Sequence, residues 1–209
     1  MGLFRTDDER SAVQRARRLG LQAVSLAKLP RPVTLFWWRA LRRAQAENDT
    51  WSIDVACRPA ELRVLLDALS GARRVAEVGT AAAWTTSCIA LARPDREVHS
   101  WDVEAHPERE RYLALLSPAD RARVHLYDRP GGLGPADPPR VDAVFIDSSH
   151  ELEETVATFK TWEPALEPGG IVGFHDYADD AYPGVTEAVE QLGLDGEARG
   201  HLFVWYKPA

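Results

Sequence analysis

The chain of 209 residues contains only two cysteines, Cys57 and Cys88. Their spacing matches no zinc or redox pattern, which argues against a disulfide scaffold and against a zinc module read from sequence. A long apolar run is also missing. The longest charge-free stretch, about Ala81 to Ala92, is polar in its middle at Thr85, Thr86 and Ser87. It falls well short of the ~20 apolar residues that cross a bilayer. The opening residues Met1 to Asp8 carry no apolar signal core, so the expectation is a cytoplasmic protein without a transmembrane segment. No internal repeat or low-complexity tract is present. A G-x-G-x-x-G fingerprint is absent too, which disfavours a dehydrogenase.

What is present is ordinary for a globular protein. The chain is 45% hydrophobic and 27% charged, and seven Trp and six Phe can fill a core. The net charge of −7 is unevenly spread. Residues 1–46 hold 10 Lys/Arg against Asp7, Asp8 and Glu9, whereas the remainder holds 15 Lys/Arg and 29 Asp/Glu. So acidic a body is a poor match for a nucleic-acid backbone, and no nucleic-acid partner is expected. The basic front end, with Arg39, Arg42 and Arg43 beside Trp37 and Trp38, suits an acidic surface, a cap over a site or a homodimer contact.

Periodicity divides the chain into residues 1–57, a helical N-terminal cap, and residues 58–209, the main domain. Leu19, Leu21, Val24, Leu26 and Leu29 are spaced as on a helix that Pro30 and Pro32 break. A second helix is expected over Val33–Gln45, with Leu35, Trp38 and Leu41 facing one way and the arginines the other. A third follows Pro59, where Leu62, Leu65, Leu66 and Leu69 fall at i, i+3, i+4 and i+7. From residue 73 short apolar strands alternate with helices. Strands are expected at Val75–Val78, Glu97–Trp101, Arg123–Tyr127, Val141–Ile146, Ile171–Phe174 and Leu202–Tyr206. Helices are expected at Thr85–Leu91, near Glu108–Leu116, at Glu151–Leu166 and at Val185–Leu192. Gly131 to Pro139 reads as a connection, and Pro168-Gly169-Gly170 as a turn. This alternation implies an α/β fold: a Rossmann-like, doubly wound, mostly parallel seven-stranded sheet with helices on both faces and N-terminal cap helices.

In such a sheet ligands bind beyond the carboxyl ends of the strands. Gly79 permits a tight turn after the first strand and a close approach to ligand. Asp102 ends the second strand, where a carboxylate can accept from both hydroxyls of a ribose; it could equally cap a helix. Asp147 closes the fourth strand and His175-Asp176 the fifth, so adjacent strands aim all three at one point. Carboxylate and imidazole groups so arranged suit a divalent metal with positions left open, and His150 stands close enough to take a proton. Singly, each of these residues could instead cap a helix or pack against a strand.

Glu77-Val78-Gly79-Thr80 with Ala83 and Thr85, then Asp102, Phe145-Ile146-Asp147-Ser148-Ser149-His150, Pro168-Gly169-Gly170 and His175-Asp176-Tyr177 together resemble class I S-adenosylmethionine-dependent methyltransferases. Within that class the likeness is to the bacterial small-molecule group described as methyltransferase-24-like, related to catechol and macrolide-sugar O-methyltransferases. It covers roughly residues 58–209. The resemblance implies S-adenosyl-L-methionine as cofactor and a small-molecule acceptor. Glu77 and Gly79 would border the methionine moiety, with Thr85 near its carboxylate. Asp102 would hold the ribose, Asp128, Arg129 and Ser148 would lie around the adenine, and Thr80 and Asp147 would also bind the cofactor. It further implies a divalent metal, Mg or Mn, on Asp147, His175 and Asp176, and catalytic roles for His150 as base and for His175. Two departures stand out: Ala83 occupies the place of the loop's second glycine, and His175 that of a carboxylate ligand. Three readings follow. One is a metal-assisted O-methyltransferase of a sugar or vicinal diol; another is a metal-independent enzyme with His150 or His175 as its only base. The third is a nucleotide-binding module without catalysis.

Overall fold

The computed structural model describes residues 25–134 and 140–209. Leu19, Leu21 and Val24 of the first expected helix, and residues 135–139 of the Gly/Pro connection, lie outside the described residues. The helices are α1 (Arg31–Glu47), α2 (Thr50–Asp54), α3 (Pro59–Ala68), α4 (Trp84–Leu91), α5 (Glu108–Leu113), α6 (Pro118–Arg121), α7 (Leu152–Trp162) and α8 (Pro183–Gln191). The strands are β1 (Arg74–Val78), β2 (Glu97–Asp102), β3 (Val124–Asp128), β4 (Val141–Ile146), β5 (Leu166–His175), β6 (Gly196–Arg199) and β7 (Leu202–Tyr206). No described helix is long and apolar enough to cross a membrane.

The seven strands form one sheet in the order β3-β2-β1-β4-β5-β7-β6. The first five in that order pair in parallel, as expected. The sheet as a whole is nevertheless mixed, because β7 runs antiparallel to both β5 and β6. The reason is local. Only Gly200 and His201 separate β6 from β7, and so short a link can join only antiparallel neighbours. Gly200 supplies the positive φ (64°) such a turn needs.

Two hydrophobic layers cover the sheet. One gathers Leu62, Leu65, Val75, Trp84, Ile89, Val98 and Phe145 under α1, α3 and α4. The other gathers Val144, Ile146, Phe159, Trp162, Val172, Phe174 and Val189 under α7 and α8. Helix α1 buries Val33, Phe36, Trp37, Ala40 and Ala44, and the Trp37 ring meets Trp84 edge-on at 5.8 Å. The expected orientation of this helix was therefore wrong. Leu35 and Trp38 are 52% and 44% exposed, because two alanines complete the buried stripe and let α1 approach α4 closely. Pro168-Gly169-Gly170 also differs from expectation. It lies inside β5, where the pairing with β4 shifts register between Val141 and Ala143.

Gly79 fixes the opening between β1 and β4. Its φ is +107°, and a Cβ there would stand 1.7 Å from the carbonyl oxygen of Asp147. Its N–H donates to Trp101 O (2.8 Å), and Asp147 N–H donates to Val78 O (2.8 Å). Gly79→Ala is thus expected to push β1 from β4 and destabilise the fold by about 3 kcal/mol or more. Thermal denaturation checks this, and a melting temperature close to wild type would contradict it.

Candidate active site

A cavity of about 840 Å³ opens beyond the carboxyl ends of β1, β2, β4 and β5. That is near the upper end of the ~300–1,000 Å³ typical of ligand pockets, which leaves room for two reactants. Of the residues singled out from sequence, Gly79, Thr80, Thr85, Asp102, Asp147, Ser148, His150, His175 and Asp176 all line it. Glu77, Asp128 and Arg129 are not among its lining residues.

Glu77 lies behind the loop that follows β1 and is fully buried. Its Oε2 accepts from Thr86 Oγ1 and from Ser100 Oγ (2.5 Å), while Oε1 has no partner. Burial, reinforced by the charges of Asp147 and Asp102, pushes its carboxyl up to about 8 against the hydrogen bonds from Ser100 and Thr86. Thr80 Oγ1 joins the same network through Ser100 Oγ at 2.7 Å. This cluster holds the loop from inside.

Arg109 of α5, which the sequence reading passed over, holds the loop from outside. It is almost fully buried, donates to Ala81 O (2.8 Å), and pairs with Asp102 Oδ2 (2.9 Å) and Asp128 Oδ1 (2.7 Å). Asp102 Oδ2 also accepts from Ala81 N–H (2.8 Å). The backbone held in this way is strained: Ala81 and Ala83 adopt φ of 43° and 62°, in the left-handed region that favours glycine. Asp128 therefore meets the site only through Arg109.

At the opposite end, β4 and β5 deliver the polar cluster. His175 Nδ1 lies 3.0 Å from Asp147 Oδ1 and 3.2 Å from Asp176 Oδ2. Its Nε2 lies 3.3 Å from Oε2 of Glu61 on α3. Burial opposes charge on this ring. The Asp147 carboxylate, with hydrogen bonds to Asp147 and Asp176, outweighs it and raises the imidazole far above its ordinary range. Asp176 is correspondingly lowered: burial works against its charge, but the contacts with His150 and His175 prevail. His150 Nε2 approaches Asp176 Oδ2 to 2.9 Å without hydrogen-bond alignment, and its ring stacks on Tyr182 at 4.0 Å. Asp147, His175 and Asp176 each offer one donor atom, and these atoms lie within 4.8 Å of one another. Two carboxylates and one imidazole are a fitting donor set for a divalent ion. With Glu61 accepting from Nε2–H, Nδ1 would be the nitrogen left free to bind.

With this geometry in place, comparison with known proteins gives the class. Residues 76–177 match the family model described as a methyltransferase domain. No curated protein matches the chain significantly. Among solved structures, the SAH-bound methyltransferase PaMTH1 of Podospora anserina aligns over 100% of both chains at 13% identity, with a TM-score of 0.68. The O-methyltransferase TomG of Streptomyces achromogenes, involved in tomaymycin synthesis and bound to SAM, aligns over 80% of this chain and 89% of its own at 19% identity and TM-score 0.58. CalS11, a TDP-rhamnose 3'-O-methyltransferase of calicheamicin biosynthesis, aligns over 98% and 96% at 17% identity and TM-score 0.56. The chain thus resembles S-adenosylmethionine-dependent methyltransferases over residues 76–177 and shares their fold.

Glu77 provides a test of the inner network. Its carboxyl is raised from 4.5 to about 8 in the folded chain, so its contribution is fully present below pH ~4.5 and is lost as pH climbs toward 8. Glu77→Gln keeps an acceptor and removes the charge. Its melting temperature is expected to fall less than that of wild type between pH 5 and 8. Parallel pH curves would show that Glu77 is ionised in the fold.

Proposed function

We propose that the protein is an O-methyltransferase of a small hydroxylated molecule, such as a sugar or vicinal diol, assisted by a divalent metal. The observation that carries this reading is the convergence of Asp147, His175 and Asp176 in the cavity that Gly79 and Asp102 also line. TomG and CalS11, both named as O-methyltransferases and the latter acting on a sugar, support oxygen as the methyl acceptor.

When bound, S-adenosylmethionine would supply a methyl group on a sulfonium, open to in-line attack by the acceptor. Its polar tail would lie against the loop from Gly79 to Ala83, with Thr80 and Thr85 facing it and Asp102 toward the ribose. Holding both reactants in line can remove roughly 7–11 kcal/mol of the barrier. Asp147, His175 and Asp176 would hold the metal, whose charge when bound eases loss of a proton from an acceptor hydroxyl. His150 would receive that proton. Tyr182 fixes its ring by stacking, and the Asp176 carboxylate would stabilise the imidazolium that forms. Asp54, Val55, Ala56 and Arg58 line the cavity beside Glu61. We read the described part of the N-terminal cap, residues 25–57, as the part that closes over the acceptor.

A metal-independent variant of this reading has one observation in its favour. A protonated His175 already touches Asp147, Asp176 and Glu61 and would offset part of their charge with no ion bound. Chelation separates the two. With metal assistance, excess chelator abolishes turnover and manganese or magnesium restores it. Asp147→Asn loses turnover while S-adenosylmethionine affinity measured by calorimetry stays within about threefold. Full activity in chelator would instead favour the metal-independent enzyme. In either case His150→Ala is expected to lower kcat by roughly a hundredfold or more and to remove the acidic limb of the pH profile, where protonation of the base costs activity. An unchanged profile would exclude His150 as the base.

A further inference from the structure

His175 presents two nitrogens to two different sets of ligands, and the proposed function uses only the Nδ1 side. On the Nε2 side stand Glu61 and Cys57. Among the described residues two groups could hold a metal ion, and His175 belongs to both. The second consists of Cys57, Glu61 and His175, again with donor atoms within 4.8 Å of one another. Local structure holds these residues in place. Cys57 N–H donates to Thr85 Oγ1 (3.2 Å), which ties the residue to the start of α4. Glu61 is the third residue of α3, and its Oε2 accepts from Arg58 N–H (3.2 Å) in a capping box. Cys57 forms no disulfide, and its thiol makes only a long contact of 3.9 Å with Arg58 O besides lying against His175.

We propose that Cys57 Sγ, the Glu61 carboxylate and His175 Nε2 form a second metal site, selective for a thiophilic transition ion such as Zn²⁺ or Co²⁺. The chemistry of the donors makes the choice. Asp147 and Asp176 bring hard oxygen to Nδ1, whereas a thiolate on the Nε2 side selects a softer ion. Three protein ligands leave a tetrahedral ion its fourth position, as in open zinc sites. That position would face the cavity, since Glu61 and His175 both line it. Bond lengths of about 2.0–2.3 Å place donors ~3.5 Å apart, so side-chain rotations of roughly 1 Å complete the site. When the sulfur–metal bond forms, the thiol proton leaves to solvent and the sulfur lone pair goes to the ion.

The two sites exclude one another. A neutral imidazole has a single lone pair, so an ion on Nε2 forces the ring proton onto Nδ1, where it points at Asp147 and Asp176. The Nδ1 ligand of the first site is then gone. A thiophilic ion is therefore an inhibitor that competes with magnesium or manganese. This consequence, unlike the second site itself, rests on the metal-assisted reading above.

Cobalt(II) titration of the chain without S-adenosylmethionine tests the site directly, by absorption and not by turnover. One equivalent of cobalt is expected to produce a near-ultraviolet thiolate-to-cobalt charge-transfer band that zinc then bleaches. The band should vanish in Cys57→Ser and persist in Cys88→Ala and Asp147→Asn. If Cys57→Ser fails to fold, Glu61→Gln serves in its place, with cobalt affinity expected to drop tenfold or more. Absence of the band in wild type, its survival in Cys57→Ser, or unchanged affinity in Glu61→Gln overturns the site. Cobalt bound without the band and lost in Asp147→Asn would leave only the Asp147–His175–Asp176 site. The band with chelator-insensitive turnover would keep the second site and remove metal from the methyl transfer.

Discussion

Three carboxylates meet around one imidazole at the centre of this protein, and each is largely withdrawn from water. Glu61, Asp147 and Asp176 could not share so small a space without positive charge between them, because burying like charges side by side is costly. The His175 ring, or an ion that takes over its role, resolves that conflict. The rest of the site follows from it. Helix α3 must start where Glu61 reaches Nε2, and β4 and β5 must end level so that Asp147 and Asp176 reach Nδ1. The parallel register that pairs Ile146 with Phe174 provides that alignment. Electrostatic balance thus ties the helical front of the chain to the two central strands of the sheet.

The cofactor side is organised by shape and by a buried arginine. Asp147 serves both halves: its side chain faces His175, and its carbonyl presses on the place where Gly79 has no Cβ. Movement of β1 relative to β4 would therefore disturb the loop after β1 and the His175 cluster at once. Arg109 performs for the loop what His175 performs for the carboxylates, gathering Asp102, Asp128 and a backbone carbonyl about one cation. Removing Arg109 would leave the largely buried Asp102 carboxylate without its countercharge, which commonly costs about 3–5 kcal/mol, whereas Asp128, more than half exposed, would lose little.

Much of this was legible in the sequence, for identifiable reasons. Sheet strands with buried faces read as short apolar runs, so the parallel β1, β2, β3 and β4 and the antiparallel β7 were found nearly to the residue. The polar residues just past them, Asp102, Asp147, His150, His175 and Asp176, had to gather at one edge once the strands were parallel. Strand β6 carried no signal because all four of its residues are exposed. Helix α1 was turned the wrong way because its alanines contribute little to an apolar pattern, although their small size is what allows close packing. Glu61 and Arg109 were missed for a different reason. On a helix, acidic and basic residues look like solvated surface, and only the tertiary fold turns them inward. Cys57 was set aside on spacing, a criterion that recognises ligands close in sequence and not ones assembled across 118 residues.

The antiparallel strand β7 carries a consequence for the order of folding. It is inserted between β5 and β6, and its Leu202 pairs with His175 itself. Until residues 202–206 have been synthesised, the outer edge of β5 has no neighbour, and unpaired strand edges of this kind invite association with other chains. The nascent protein can therefore assemble the loop built from residues 74–109 well before it can secure the histidine on which its carboxylates depend. The half proposed for the methyl donor is ready first. The half proposed for the acceptor waits for β7, and so does protection of that edge from aggregation.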